Sequence, residues 1–76
     1  MSGRLPSLSS REVIRAFEQA GFTVLPGRGK GSHIAMARED WPAILIIPSH
    51  NDVPRGTLRA LIRQAGITVE EFLRFL

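Results

Sequence analysis

Apolar residues fall into six runs separated by turn formers, and the spacing within each run predicts an element. Val13, Ile14, Phe17 and Ala20 recur at the three- and four-residue intervals of one helix face. Ser9 and Glu12 have the S-x-x-E spacing of a capping box, and Gly21 follows as a stop, so the pattern predicts a helix over residues 10–20. Phe22 to Leu25 is a short β-favouring run ended by Pro26, and the glycine-rich Gly27-Arg28-Gly29-Lys30-Gly31 after it suits a loop. From Ser32 to Ala37 the residues alternate. Ile34 and Met36 fall on one face of a strand, and His33, Ala35 and Ala37 on the other. Trp41-Pro42 marks a turn, and Ala43 to Pro48 is an apolar run of strand length closed by Ser49, Asn51 and Asp52. Leu58, Leu61, Ile62 and Ala65 mark a second amphipathic helix ending at Gly66, with Pro54 and Gly56 obscuring its start. Thr68 and Glu71 repeat the capping-box spacing before Phe72, Leu73 and Leu76, which predicts a short last helix.

The order is helix, three strands, helix, short helix. Both connections between strands are too short for parallel crossovers, so the sheet is expected to be antiparallel and the class α+β. Economical packing puts the helices on the Ile34 and Met36 face and leaves the His33 face open. Double-stranded-RNA-binding domains share this layout, an analogy that concerns the fold alone. With 76 residues there is material for one hydrophobic core. The expectation is a flexible, Ser-rich lead over residues 1–8 and a single domain over residues 9–76.

Composition narrows the partners. The chain is 43% hydrophobic and 22% charged, outside the range of chains that stay unfolded. No cysteine is present, so disulfides and thiolate metal sites are ruled out and the core must rest on packing. No signal-like apolar stretch and no run of about 18 apolar residues occurs, so a cytoplasmic protein without a membrane contact is expected. The net charge is +3, and nine of the ten cations are arginine, whose planar fork suits phosphate. Such a balance permits nucleic-acid binding without demanding it.

His33 is the leading chemical candidate. It follows a glycine loop carrying two cations and lies on the strand face that alternation leaves exposed, and an imidazole both takes and gives protons near neutral pH. Gly27 to Gly31 serves most simply as a hairpin connection. A phosphate role for it, with backbone N–H groups and the charges of Arg28 and Lys30, comes second, and the P-loop pattern fails because Gly31 follows Lys30. Arg55, Arg59 and Arg63 recur every four residues and form one basic stripe on the second helix. A solvated face and a contact for a polyanion, RNA or an acidic protein, fit that stripe equally. His50 sits in the turn after the third strand and suits a capping role as well as a second proton carrier. If strands two and three form a hairpin, it emerges at the same end of the sheet as the glycine loop. Two histidines far apart, with no Cys or carboxylate cluster, make too few ligands for a catalytic metal, so no metal and no cofactor are expected.

Several stretches together resemble the HicA family of toxin ribonucleases. They are Arg11-Glu12-Val13-Ile14-Arg15-Ala16-Phe17-Glu18 running into Ala20-Gly21-Phe22, then Gly31-Ser32-His33, then Pro48 with His50. Gly56-Thr57-Leu58 through Arg63-Gln64-Ala65-Gly66 and Glu70-Glu71-Phe72 complete the match, which spans nearly the whole chain. The resemblance implies a small double-stranded-RNA-binding-domain-like fold, cleavage of messenger RNA, a catalytic histidine at His33, and a HicB-type antitoxin that binds and masks it. RNA supplies its own nucleophile in the 2′-hydroxyl, so metal-independent acid/base catalysis by His33 suffices. His50 and Lys30 are candidate auxiliaries, and Arg28, Lys30, Ser32, Arg55, Arg59 and Arg63 candidate RNA contacts. A noncatalytic RNA-binding module would keep the basic loop and stripe without needing His33. A pure protein-interaction domain would need neither RNA nor the histidine.

Overall fold

The first helix, α1 (Ser10–Gln19), begins where the capping spacing placed it. Glu12 N–H donates to Ser9 Oγ at 3.2 Å, and Ser9 N–H donates back to Glu12 Oε1 at 2.9 Å. This return bond holds the Glu12 carboxyl below its ordinary value. Gly21 ends the helix with φ +100°, a left-handed backbone that lets Phe22 N–H reach back to the Phe17 carbonyl at 3.0 Å. Residues 4–26 and 33–76 are described by this computed structural model. The glycine-rich loop and Arg28, Lys30 and Ser32 lie outside the described residues.

Three strands follow, β1 (Thr23–Val24), β2 (His33–Ala37) and β3 (Leu45–Pro48), in the antiparallel order β1-β2-β3. Each is shorter than the apolar run that predicted it. The β2–β3 register pairs His33 with Pro48, Ile34 with Ile47, Ala35 with Ile46 and Met36 with Leu45. Directly opposed residues share a face, so Met36, Leu45 and Ile47 lie together on the covered side, each fully buried, with half-buried Ile34 among them. His33, Ala35 and Ile46 lie on the other side, where His33 is exposed and Ile46 is 47% exposed. Ala35 is nonetheless buried, because a methyl group in the central strand is shielded by the larger side chains of the strands beside it.

Helix α2 (Arg55–Gln64) starts at the residue after Pro54, whose ring sets the entry, and α3 (Val69–Arg74) carries the second capping box, from Thr68 to Glu71. Gly66, with φ +75°, closes α2 as Gly21 closes α1. Between the helices and the sheet lies one core centred on Phe17. Phe22 meets it edge-on with centroids 6.0 Å apart, and Phe72 of α3 packs at 5.2 Å. The α+β class and the three-stranded antiparallel sheet flanked by helices are therefore as the spacing indicated.

The lead placed over residues 1–8 differs from expectation along its described part. Leu5 and Leu8 are buried in the core, and Leu8 forms a bridge with Val53, whose N–H donates to the Leu8 carbonyl at 2.7 Å. Ser7 hydrogen-bonds the Asp52 carboxylate, and Arg55 Nε donates to the Leu5 carbonyl at 2.8 Å. The reason is the pair of leucines, spaced too far from the helical run to join its pattern yet apolar enough to demand burial.

Candidate nucleic-acid interface

His33 opens β2, at the corner of the sheet that the Gly27–Gly31 segment precedes in sequence. Its partner across the ladder is Pro48, the last residue of β3, and His50 follows two residues later. The antiparallel register thus brings both exposed histidines to one end of the sheet, as the hairpin argument required. His50 is held there by backbone. Ser10 N–H, in the first turn of α1, donates to the His50 carbonyl at 2.9 Å, and the Leu8–Val53 bridge fastens the same turn from below. The N-terminal segment is what fixes the position of the His50 loop.

Beside this corner lies an open groove of about 590 Å³ lined by Ser9, Ser10, Arg11, Ser49, His50 and Asn51. The hydroxyls of Ser10 and Ser49, an amide, an imidazole and a guanidinium offer hydrogen bonds to an anion, the Ser9 hydroxyl being engaged by Glu12, and among the described residues no carboxylate lines the groove. Arg11 and Ser10 also line a second groove of about 380 Å³, which runs along the outer face of α1 past Ile14, Arg15 and Glu18 and touches Ile34, the neighbour of His33. Sequence reasoning passed over Arg11 and Arg15. Their signal was the four-residue spacing opposite the Val13 and Phe17 face, which sets both on the exposed side of α1.

Arg55, Arg59 and Arg63 are all exposed on α2, so the stripe exists. It lines different grooves: one with Arg4 and Leu5, another with Ile62, Ile67 and Val69, and neither includes His33 or His50. Arg55 is in part structural, since its Nε is engaged by the Leu5 carbonyl. Among the described residues no group of three or more His, Asp or Glu side chains could together hold a metal ion. Nor is any helix among them long and apolar enough to cross a membrane.

A second arginine is engaged in architecture. Arg38, just after β2, stacks over Phe22 at 5.2 Å and Trp41 at 5.7 Å, donates from Nη1 to the Ala20 carbonyl at 3.1 Å, and pairs with Asp40 at 2.8 Å. Trp41 Nε1 in turn donates to the Gln64 carbonyl at 2.7 Å. The β2–β3 turn thereby caps the C-terminal ends of both long helices, at the edge of the sheet away from the β2 start.

A helix, an antiparallel three-stranded sheet and two further helices, with a solvent-facing histidine at a polar sheet corner, define a small α+β domain with one open polar face. A solved structure described as a toxin–antitoxin complex from Streptococcus pneumoniae has the same fold, with a TM-score of 0.70 and 28% sequence identity over 79% of this chain and 98% of that one. The family model described as the HicA toxin of bacterial toxin–antitoxin systems matches residues 10–67. This chain belongs to the HicA toxin family. Comparison with curated proteins gives no match.

Proposed function

We propose that this toxin is an endoribonuclease that cleaves messenger RNA in the cytoplasm without a metal, with His33 moving the proton. The observation that carries the proposal is the β2–β3 register, which sets exposed His33 across from Pro48 and so brings His50 to the same corner, beside a groove rich in hydrogen-bond donors.

The chemistry needs only what RNA and this corner supply. The 2′-oxygen attacks phosphorus as its proton leaves to a base, the bond from phosphorus to the 5′-oxygen breaks, and that oxygen takes up a proton. The products are a 2′,3′-cyclic phosphate and a 5′-hydroxyl. His33 carries one of the two protons, and His50, two residues past the ladder partner of His33, is the candidate for the other. Arg28, Lys30 and Ser32 are assigned to phosphate binding by their place in the sequence immediately before His33, and Lys30 further to steadying charge on the phosphorane.

The decisive assay uses an end-labelled RNA, its 2′-O-methyl analogue and EDTA. Wild type is expected to cut the RNA in EDTA, leave the methylated strand intact and yield 5′-hydroxyl fragments. His33→Ala should lower the rate by about 10²- to 10⁴-fold with a stability change within about 0.5 kcal/mol, as for other exposed sites. Cutting of the methylated strand, or full inhibition by EDTA, would overturn the mechanism. Binding without any cutting would make the protein a noncatalytic RNA-binding module.

A HicB-type antitoxin is the second partner of this reading. Its support is family membership together with exposed Ile46 on the His33 face, apolar surface that a protein cover would bury. Ile46→Asp is expected to weaken the complex while RNA cleavage persists, and an undiminished complex would place the antitoxin elsewhere.

A further inference from the structure

Arg11 and Arg15 are four residues apart on α1, so their Cβ atoms lie about 5–6 Å apart on one face. Neither is in an ion pair; among the described residues the one such pair is Arg38–Asp40. Arg11 lines a groove with His50, and both arginines line a second that reaches Ile34, the residue after His33. The first runs from Arg11 to His50 and Asn51, and the second runs from Arg11 and Arg15 over Ile14 and half-buried Ile34. Cations beside a shallow apolar floor are what a nucleotide requires, phosphate on the guanidinium and ribose or base on the aliphatic surface. Glu18 closes the far end of the second groove with a negative charge, which repels a further phosphate.

We infer that the outer face of α1 is the track along which single-stranded RNA leaves the cleavage site, with Arg11 and Arg15 each holding one backbone phosphate next to the scissile one. The α2 stripe is less suited to this role, since its grooves stop short of both histidines and Arg55 is engaged by Leu5. The inference rests on RNA being the substrate, and the test separates the two.

Binding of a twelve-nucleotide 2′-O-methyl RNA, which cannot be cut by 2′-oxygen attack, is measured over a range of salt for wild type, Arg11→Gln/Arg15→Gln and Glu18→Gln. Cleavage of the unmodified twelve-mer and of a dinucleotide is measured in parallel. Glutamine keeps helix propensity, and circular dichroism melting checks the fold. The double variant is expected to lose affinity on the order of tenfold and about 1.4 from the salt slope, roughly 0.7 per phosphate for a single strand. It should cut the twelve-mer slowly and lose much less on the dinucleotide, which has only the scissile phosphate. Glu18→Gln should bind severalfold more tightly. An unchanged slope and unchanged twelve-mer cleavage in a folded double variant overturns the track even if wild type is a ribonuclease. Antitoxin binding is measured on the same variants, and a fall confined to it overturns the track as well and assigns the arginines to the protein partner. Loss of RNA binding in the double variant, with a wild type that cuts nothing, supports the track and refutes the ribonuclease.

Discussion

Gly66 and Gly56 differ by one backbone angle and one neighbour, and substituting alanine at each should move stability in opposite directions. At Gly66 the backbone has φ +75°, and an added Cβ would lie 2.6 Å from both Cη2 and Cζ2 of Trp41. Left-handed backbone costs an L residue about 1–2 kcal/mol. The ring must retreat by about 1 Å to reach ordinary contact, but Trp41 is pinned by its 2.7 Å bond to the Gln64 carbonyl. Overpacking against a fixed ring costs about 1–3 kcal/mol. Gly66→Ala is therefore expected to lose about 2–5 kcal/mol, a large part of the roughly 4–11 kcal/mol that a domain of this size has, and to lower Tm by at least about 10 °C. Gly56, in the first turn of α2, has nothing within 4 Å of the added Cβ, and alanine there should gain up to about 1 kcal/mol by restricting the unfolded chain. Urea unfolding followed by the fluorescence of Trp41, the sole tryptophan, reads both variants. Repeating Gly66→Ala in a Trp41→Ala background by circular dichroism should leave only the backbone cost. A loss below about 1 kcal/mol for Gly66→Ala, or the same loss in both backgrounds, would refute the clash.

Three further outcomes follow from particular contacts. Leu5→Ala should cost about 2–5 kcal/mol in chemical unfolding, because Leu5 is 2% exposed in the core; a change below about 0.5 kcal/mol would return the segment to a loose lead. Glu12 titrates below its ordinary value because the Ser9 backbone N–H bonds its carboxylate, so its contribution is present above the ordinary glutamate range and fades as pH falls through the lowered value. Glu12→Gln should therefore reduce stability at pH 7 and flatten the acid side of the Tm-against-pH curve, and an unchanged acid limb would remove Glu12 from the account. Replacing Arg59 and Arg63 with Ala should leave the salt slope for single-stranded RNA within about 0.3 of wild type if α1 is the track, whereas a drop near 1.4 would give the α2 stripe that role.

The local rules of the chain were legible because they depend on neighbours in sequence. Both capping boxes, at Ser9–Glu12 and Thr68–Glu71, and both glycine stops, at Gly21 and Gly66, are in place, since cap and stop chemistry is settled within one turn of helix. Alternation in β2 correctly put His33 on the open face, and the short β2–β3 connection sufficed to bring His50 to its end of the sheet. Other features needed tertiary structure, because they join residues with no periodic relation. Leu5 and Leu8 showed too little pattern to be assigned a core, yet both are buried in it, and Leu8 pairs across the fold with Val53 and helps hold the His50 loop against α1. Arg38 and Trp41 lock the ends of two helices through the Ala20 and Gln64 carbonyls, which lie far apart in the chain, by contacts that no spacing announces. Composition offered nine arginines of equal standing, and only the packing of α1 beside the β2 and β3 ends set Arg11 beside His50 and Arg15 in the groove that reaches Ile34, while giving Arg38 and Arg55 to the architecture. A charge declares its chemistry in the sequence, but what it faces is decided by the fold.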